Sequence, residues 1–167
     1  MKILTLFLFL LTSSSLHAQP TGVNLKPLYH QFDFWLGEWD VYKYGTDTLV
    51  GKSRIESIID SMGLLENYQV PGGHYAGKSI NKYNATEKRW EQYWVDNAGL
   101  TLFLTGKRVD HKMVLNDGLY GNAQRGLNQI VWEPMANGSV RQTWSISKDG
   151  GKSWTVVFDG EYRRSKP

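Results

Sequence analysis

Apolar residues fall at Leu25, Leu28, Tyr29, Phe32, Trp35 and Leu36, offsets of 0, 3, 4, 7, 10 and 11. That is the stripe of an amphipathic helix. Asn24 is placed to cap its start, Pro27 sits in the first turn where proline is tolerated, and Gly37 is placed to end it. Immediately afterwards the period drops to two. In "EWDVYKY", Trp39, Val41 and Lys43 fall on one side, and Asp40, Tyr42 and Tyr44 on the other. The stretch "FDFWLGEWDV", from Phe32 to Val41, therefore reads as a helix-to-strand junction. Phe32 and Trp35 belong to the buried helix face and Trp39 to the inward strand face. Asp33, Glu38 and Asp40 read as solvated rather than catalytic.

No helical stripe follows. Strand-like runs at 38–45, 48–60, 63–70, 75–84, 87–96, 99–108, 110–120, 125–136, 139–147 and 153–163 alternate with turns such as "VPGGH", "DNAG", "NDG", "ANGS" and "KDGGKS". Ten short strands in one chain must protect their edges, and closure into an antiparallel barrel does so most simply. The expected fold is all-β: a ten-stranded meander barrel behind one short N-terminal helix, with a β-sandwich as the alternative.

Residues 1–18 stand apart from this pattern. Lys2, the apolar run "ILTLFLFLLT" and the small-residue ending "SLHA" read as a secretory leader cleaved near Ala18. The run is too short to cross a bilayer as a helix. The expected mature chain, 19–167, is one domain with a secreted or periplasmic location. Its charge falls from +3 to +2 with the loss of Lys2, and no basic cluster suggests nucleic acid or membrane as a partner. Cysteine is absent, which excludes disulfides, thiolate catalysis and thiolate metal sites.

Gly37-Glu38-Trp39 behind a short helix resembles the G-x-W element of lipocalin-like (calycin) barrels. The resemblance implies that Trp39 packs under an arginine of the last strand, Arg163 or Arg164 in "EYRR", by a cation–π contact. More widely, "FDFWLGEWDV", "GKSRIE", "LLENY", "GKSINKYN", "WEQYWVDNAG" and "SVRQTWSISKDGGKSWTVVFDGEYRR" resemble a family of secreted bacterial proteins of unknown function. That resemblance implies a calycin-like barrel and brings no substrate.

Three motifs invite chemistry and are better explained structurally. Gly72, Gly77, Lys78 and Ser79 match the phosphate-binding G-x-x-x-x-G-K-[ST], but no helix follows to present amides to a phosphate. "SKDGGKSW", Ser147 to Trp154, resembles the Asp-box that fixes hairpins in sialidase-like propellers, and it occurs once. His30, His74 and His111 lie on no shared element with metal-ligand spacing. Nitrobindin-like barrels hold haem through a histidine on a late strand, and 125–167 contains none. The sequence calls for no cofactor.

The informative feature is a doubled pattern. Gln92 and Trp94 in "EQYW", and Gln142 and Trp144 in "RQTW", each share a strand face. Arg54 and Glu56 share another, as do Glu66 and Tyr68. An interior carrying such groups is costly unless they pair or meet a ligand. The expected site is a semi-polar cavity lined by Arg54, Glu56, Glu66, Gln92, Trp94, Gln142 and Trp144, with Arg54 neutralising Glu56 or Glu66. The opposite parity would make the tryptophans a surface stripe. The leading function is binding of a small organic ligand. The alternatives are a lipocalin-fold isomerase, cyclase or lyase using Glu56 and Glu66 as acid and base, and carbohydrate binding by surface tryptophans.

Overall fold

A computed structural model describes residues 25–118 and 126–166. The leader-like segment, the Asn24 cap and part of the connection between the seventh and eighth strands lie outside the described residues. The strands are β1 (Gly37–Lys43), β2 (Leu49–Ile58), β3 (Gly63–Gln69), β4 (Ala76–Asn84), β5 (Arg89–Asp96), β6 (Thr101–Val109), β7 (Lys112–Asn116), β8 (Leu127–Pro134), β9 (Val140–Ser147) and β10 (Thr155–Arg164). Each pairs antiparallel with its sequence neighbours, and β1 pairs with β10 to close the barrel. The sandwich alternative is thereby excluded.

The N-terminal helix is shorter than the stripe predicts. Helix α1 covers Lys26–Tyr29 with Leu25 at its N-cap, and a separate 3₁₀ turn covers Asp33–Trp35. The tighter turn has three residues per revolution, so Phe32 and Trp35 come into line. Their rings stack 5.1 Å apart and both side chains are fully buried. Tertiary packing of these two rings thus favours a break that the apolar spacing alone does not reveal.

This segment plugs the end of the barrel where β1 starts and β10 finishes. Phe32 meets Trp90 at 5.6 Å and Trp132 at 5.1 Å, edge to face, and Trp35 meets Tyr162 at 6.0 Å. Each such burial is worth about 1.5–3 kcal/mol. The plug also carries a cost, because the indole N–H groups of Trp35 and Trp132 find no acceptor. Arg164, of the two candidates, covers the junction: its guanidinium lies 3.9 Å from the Trp39 ring, and its Nη1 donates to Leu36 O at 2.6 Å. Gly37 has φ +124°, and a Cβ there would collide with that guanidinium. Glycine is required twice over, for backbone and for space.

Strand direction then places the turns β1–β2, β3–β4, β5–β6, β7–β8 and β9–β10 at the opposite, unplugged end. One of them is the "SKDGGKSW" hairpin. Asp149 accepts from Lys152 N, Ser153 N and the Ser153 hydroxyl, and Trp154 Nε1 donates to Gly151 O. These bonds fold the β9–β10 turn.

Candidate functional site

Between the aromatic plug and the open end lies a cavity of about 200 Å³. At roughly 30 Å³ per water, it has space for about seven waters or one small organic molecule. The strands supply its walls by alternation. Glu66 and Tyr68 come from β3, Gln92 and Trp94 from β5, Gln142 and Trp144 from β9, and Phe158 and Tyr162 from β10. Leu102 and Ile130 complete the interior, and Tyr75 and Val157 reach it from the rim. Val157 is there because the register slips between Val156 and Phe158, which turns one extra residue toward the mouth.

Five of the seven expected residues come together here: Glu66, Gln92, Trp94, Gln142 and Trp144. Arg54 and Glu56 do not, and the expectation for them is corrected. On β2 the inward residues are Ser53 and Ile55, so Arg54 and Glu56 point outward. Arg54 Nη2 bonds Glu56 Oε1 at 2.6 Å on the surface, and Asn67 Nδ2 bonds Glu56 Oε2 at 3.2 Å. The pair compensates itself in solvent. Small Ser53 and Gly51 occupy the inner face, and neither announces burial in the sequence.

Glu66 consequently stands inside without a cationic partner among the described residues. It is 2% exposed. Ser53 Oγ donates to its Oε1 at 3.2 Å and Ser79 Oγ to its Oε2 at 2.8 Å. Behind Ser79 the donors run in one direction: Gln92 Nε2 to Asn81 Oδ1 at 2.9 Å, then Asn81 Nδ2 to Ser79 Oγ at 2.9 Å. A chain that donates toward one carboxylate stabilises its charge. Burial wins nonetheless, and pushes the Glu66 carboxyl up to about 7 against the pull of the two hydroxyls. Glu66 therefore holds its proton on the cavity wall at mildly acidic pH and loses it near neutrality. Burial and the Glu66 charge also push the Tyr68 phenol up to about 12.

Sequence reasoning missed Ser53, Ser79 and Asn81, which form the polar support. In the sequence Ser79 stands out only as the last residue of the phosphate-loop match. Its side chain is bonded to Glu66, while Lys78 points out to Asn67 Oδ1 at 2.7 Å, so the match holds no phosphate cradle. It also missed three inward glycines. A Cβ at Gly51 would strike the Tyr68 phenol, one at Gly77 the Trp94 indole, and one at Gly160 the Phe158 ring. The aromatic walls lie where they do because those strands have no side chain beneath them. The signal was available: glycine at an inward parity position inside a strand marks close approach.

The remaining candidates lie elsewhere. His30 bonds Asp33 at 2.6 Å and His111 lies 3.3 Å from Glu133, all at the surface. His74 is exposed on the β3–β4 turn. Among the described residues no three His, Asp or Glu side chains gather as a metal site, and no helix is long and apolar enough to cross a membrane. Of the seven tryptophans only Trp154 is exposed, so they form no surface stripe.

The class these features define is a closed ten-stranded antiparallel barrel with one plugged end and a half-polar, aromatic cavity at the other. No protein-family model and no curated protein matches the chain.

Proposed function

We propose that this is an exported protein of lipocalin-like type that holds a small organic molecule in its barrel. The observation that carries the reading is Glu66, a buried carboxyl on a cavity wall with hydroxyl partners and no cation among the described residues. Stability alone does not favour such a group, since apolar side chains would fill the space at no desolvation cost. A ligand-binding wall does, because a few placed polar groups within an apolar pocket orient what enters. The Arg164–Trp39 contact at the plug supports the calycin resemblance. Export rests on the leader-like pattern of residues 1–18.

The test is native mass spectrometry of the protein from its own host, beside an Ile130→Trp variant that fills the cavity. A bound small molecule on the first and none on the second is expected. Equal occupancy in both would overturn the reading.

A second reading has its own observation. A carboxyl that titrates near 7 is suited to move protons at neutral pH. The lipocalin-fold enzyme then rests on Glu66 as its one acid–base group, because Glu56 lies outside. In that case Glu66→Gln abolishes turnover while the substrate still binds.

A further inference from the structure

The donors of the cavity wall are almost all spoken for, and they point away from the cavity. Trp94 Nε1 donates to Asp96 Oδ2 at 3.2 Å, Tyr75 Oη to the same oxygen at 2.8 Å, Trp144 Nε1 to Asn128 Oδ1 at 2.8 Å, and Tyr68 Oη to Val50 O at 3.0 Å. The Tyr162 hydroxyl and the Gln142 amide nitrogen are the lining donors for which no such bond is seen. The acceptors show the opposite balance. Gln92 Oε1 and Gln142 Oε1 are buried and meet no donor. The Glu66 carboxylate has two hydroxyl donors for oxygens with about four lone-pair sites. With their N–H and O–H groups committed elsewhere, Tyr68, Tyr75, Trp94 and Trp144 offer the cavity their π-systems, whose faces carry negative potential. Among the described residues none that lines the cavity is Lys, Arg or His, in a chain whose net charge is positive.

The wall is therefore acceptor-rich, aromatic and singly acidic. An anionic ligand would meet a like charge and few donors. A neutral apolar one would leave the Glu66 carboxylate without a countercharge. A cation with N–H groups answers each deficit at once. It supplies the charge that Glu66 lacks and a positive centre for the indoles.

Resting on the small-molecule reading above, we propose that the ligand is a small organic cation, a protonated amine on a ring or short hydrocarbon body. Its ammonium group bonds Glu66, and its body lies against Trp94, Trp144 and Phe158. The size agrees: an apolar cavity of about 150 Å³ admits benzene, and this one is about 200 Å³. Asp96 supports the same polarity at the rim. Burial alone would raise its carboxyl, but hydrogen bonds from Leu100 N–H, Tyr75, Trp94 and Ala98 N–H hold it below its ordinary value. A fixed negative charge thus stands at the mouth.

The experiment is a calorimetric and tryptophan-fluorescence titration of the purified protein at pH 8 with benzylammonium, benzyl alcohol and benzoate, three probes of nearly one shape. Benzylammonium is expected to bind about ten-fold or more tightly than the alcohol, a preference of about 1.4 kcal/mol, with benzoate weakest. Glu66→Gln should bring the first two to within about three-fold. Alcohol or benzoate binding as tightly as benzylammonium would overturn the cation assignment and leave the small-molecule reading standing. Failure of all three to bind, with Ile130→Trp giving identical titrations, would overturn both. The wild-type comparison decides the matter even if Glu66→Gln fails to fold.

Discussion

Ser79 Oγ donates to Glu66 Oε2 at 2.8 Å, and neither side chain is more than 2% exposed. A serine hydroxyl can offer a carboxylate a hydrogen bond but no countercharge. Glu66 is therefore held in place without being held in its charged form.

Stability should follow that proton. The Glu66 carboxyl is raised from 4.5 to about 7 in the folded protein. Between those values the folded state keeps a proton that the unfolded state has lost, so stability is fullest at the acidic end and falls as pH rises toward 7. The span corresponds to a loss on the order of 3 kcal/mol. The urea midpoint of the native protein should drop from pH 5 to pH 8, and that of Glu66→Gln should drop by much less. Parallel curves would show that Glu66 is not desolvated.

Gly77 makes the space that Trp94 fills, and a Cβ there would collide with the indole. Gly77→Ala should cost about 1–3 kcal/mol of stability by overpacking. It should also displace the Trp94 ring into the cavity and weaken ligand binding. Chemical denaturation and tryptophan emission check the two effects.

At the closed end, Arg164→Ala removes both the stacking on Trp39 and the hydrogen bond to Leu36 O. Thermal unfolding should show a loss of about 1–2 kcal/mol. Arg164→Lys should recover only part, since an ammonium lacks the planar fork. Ligand affinity should stay unchanged in both, because the plug lies between Arg164 and the cavity.

Arg54 and Glu56 lie on the outer face and pair with each other in solvent. The double variant Arg54→Ala/Glu56→Ala should bind every cavity ligand as the native protein does. A change of more than about three-fold in affinity would mean that β2 presents its other face.

Asp149 is held down at about 2 by the Ser153 hydroxyl and amide and the Ser147 hydroxyl. A depressed carboxyl stabilises its turn above the ordinary value of 3.8, and that contribution is lost as pH falls toward 2. Amide exchange at Lys152 and Ser153 should accelerate in Asp149→Ala, and the β9–β10 hairpin should loosen first in acid.

How far the sequence reached can be seen strand by strand. All ten strands lie within the predicted runs or one residue beyond them, because turn residues such as Gly99, Gly138 and Gly150 bound alternating stretches whose period is local. Glu66, Gln92, Trp94, Gln142 and Trp144 were legible for the same reason, since alternation fixes which residues share a face. Arg54 and Glu56 were misplaced because alternation does not say which face is inner when both carry polar residues. Serine and glycine at Gly51 and Ser53 signal neither side.

The sequence by itself determined the local geometry: the strand periods, the junction at Gly37 and the hairpin built around Asp149. Only the tertiary structure decided that the helix breaks at the plug, that Arg164 rather than Arg163 covers Trp39, and that Glu66 lies beside serines instead of an arginine. The physical reason is separation along the chain. Backbone angles and turn chemistry act between near neighbours, whereas burial, desolvation and pairing arise only when residues further apart in sequence are brought together, Ser53 and Glu66 by the pairing of β2 with β3 and Trp39 and Arg164 by closure of the barrel through β1 and β10.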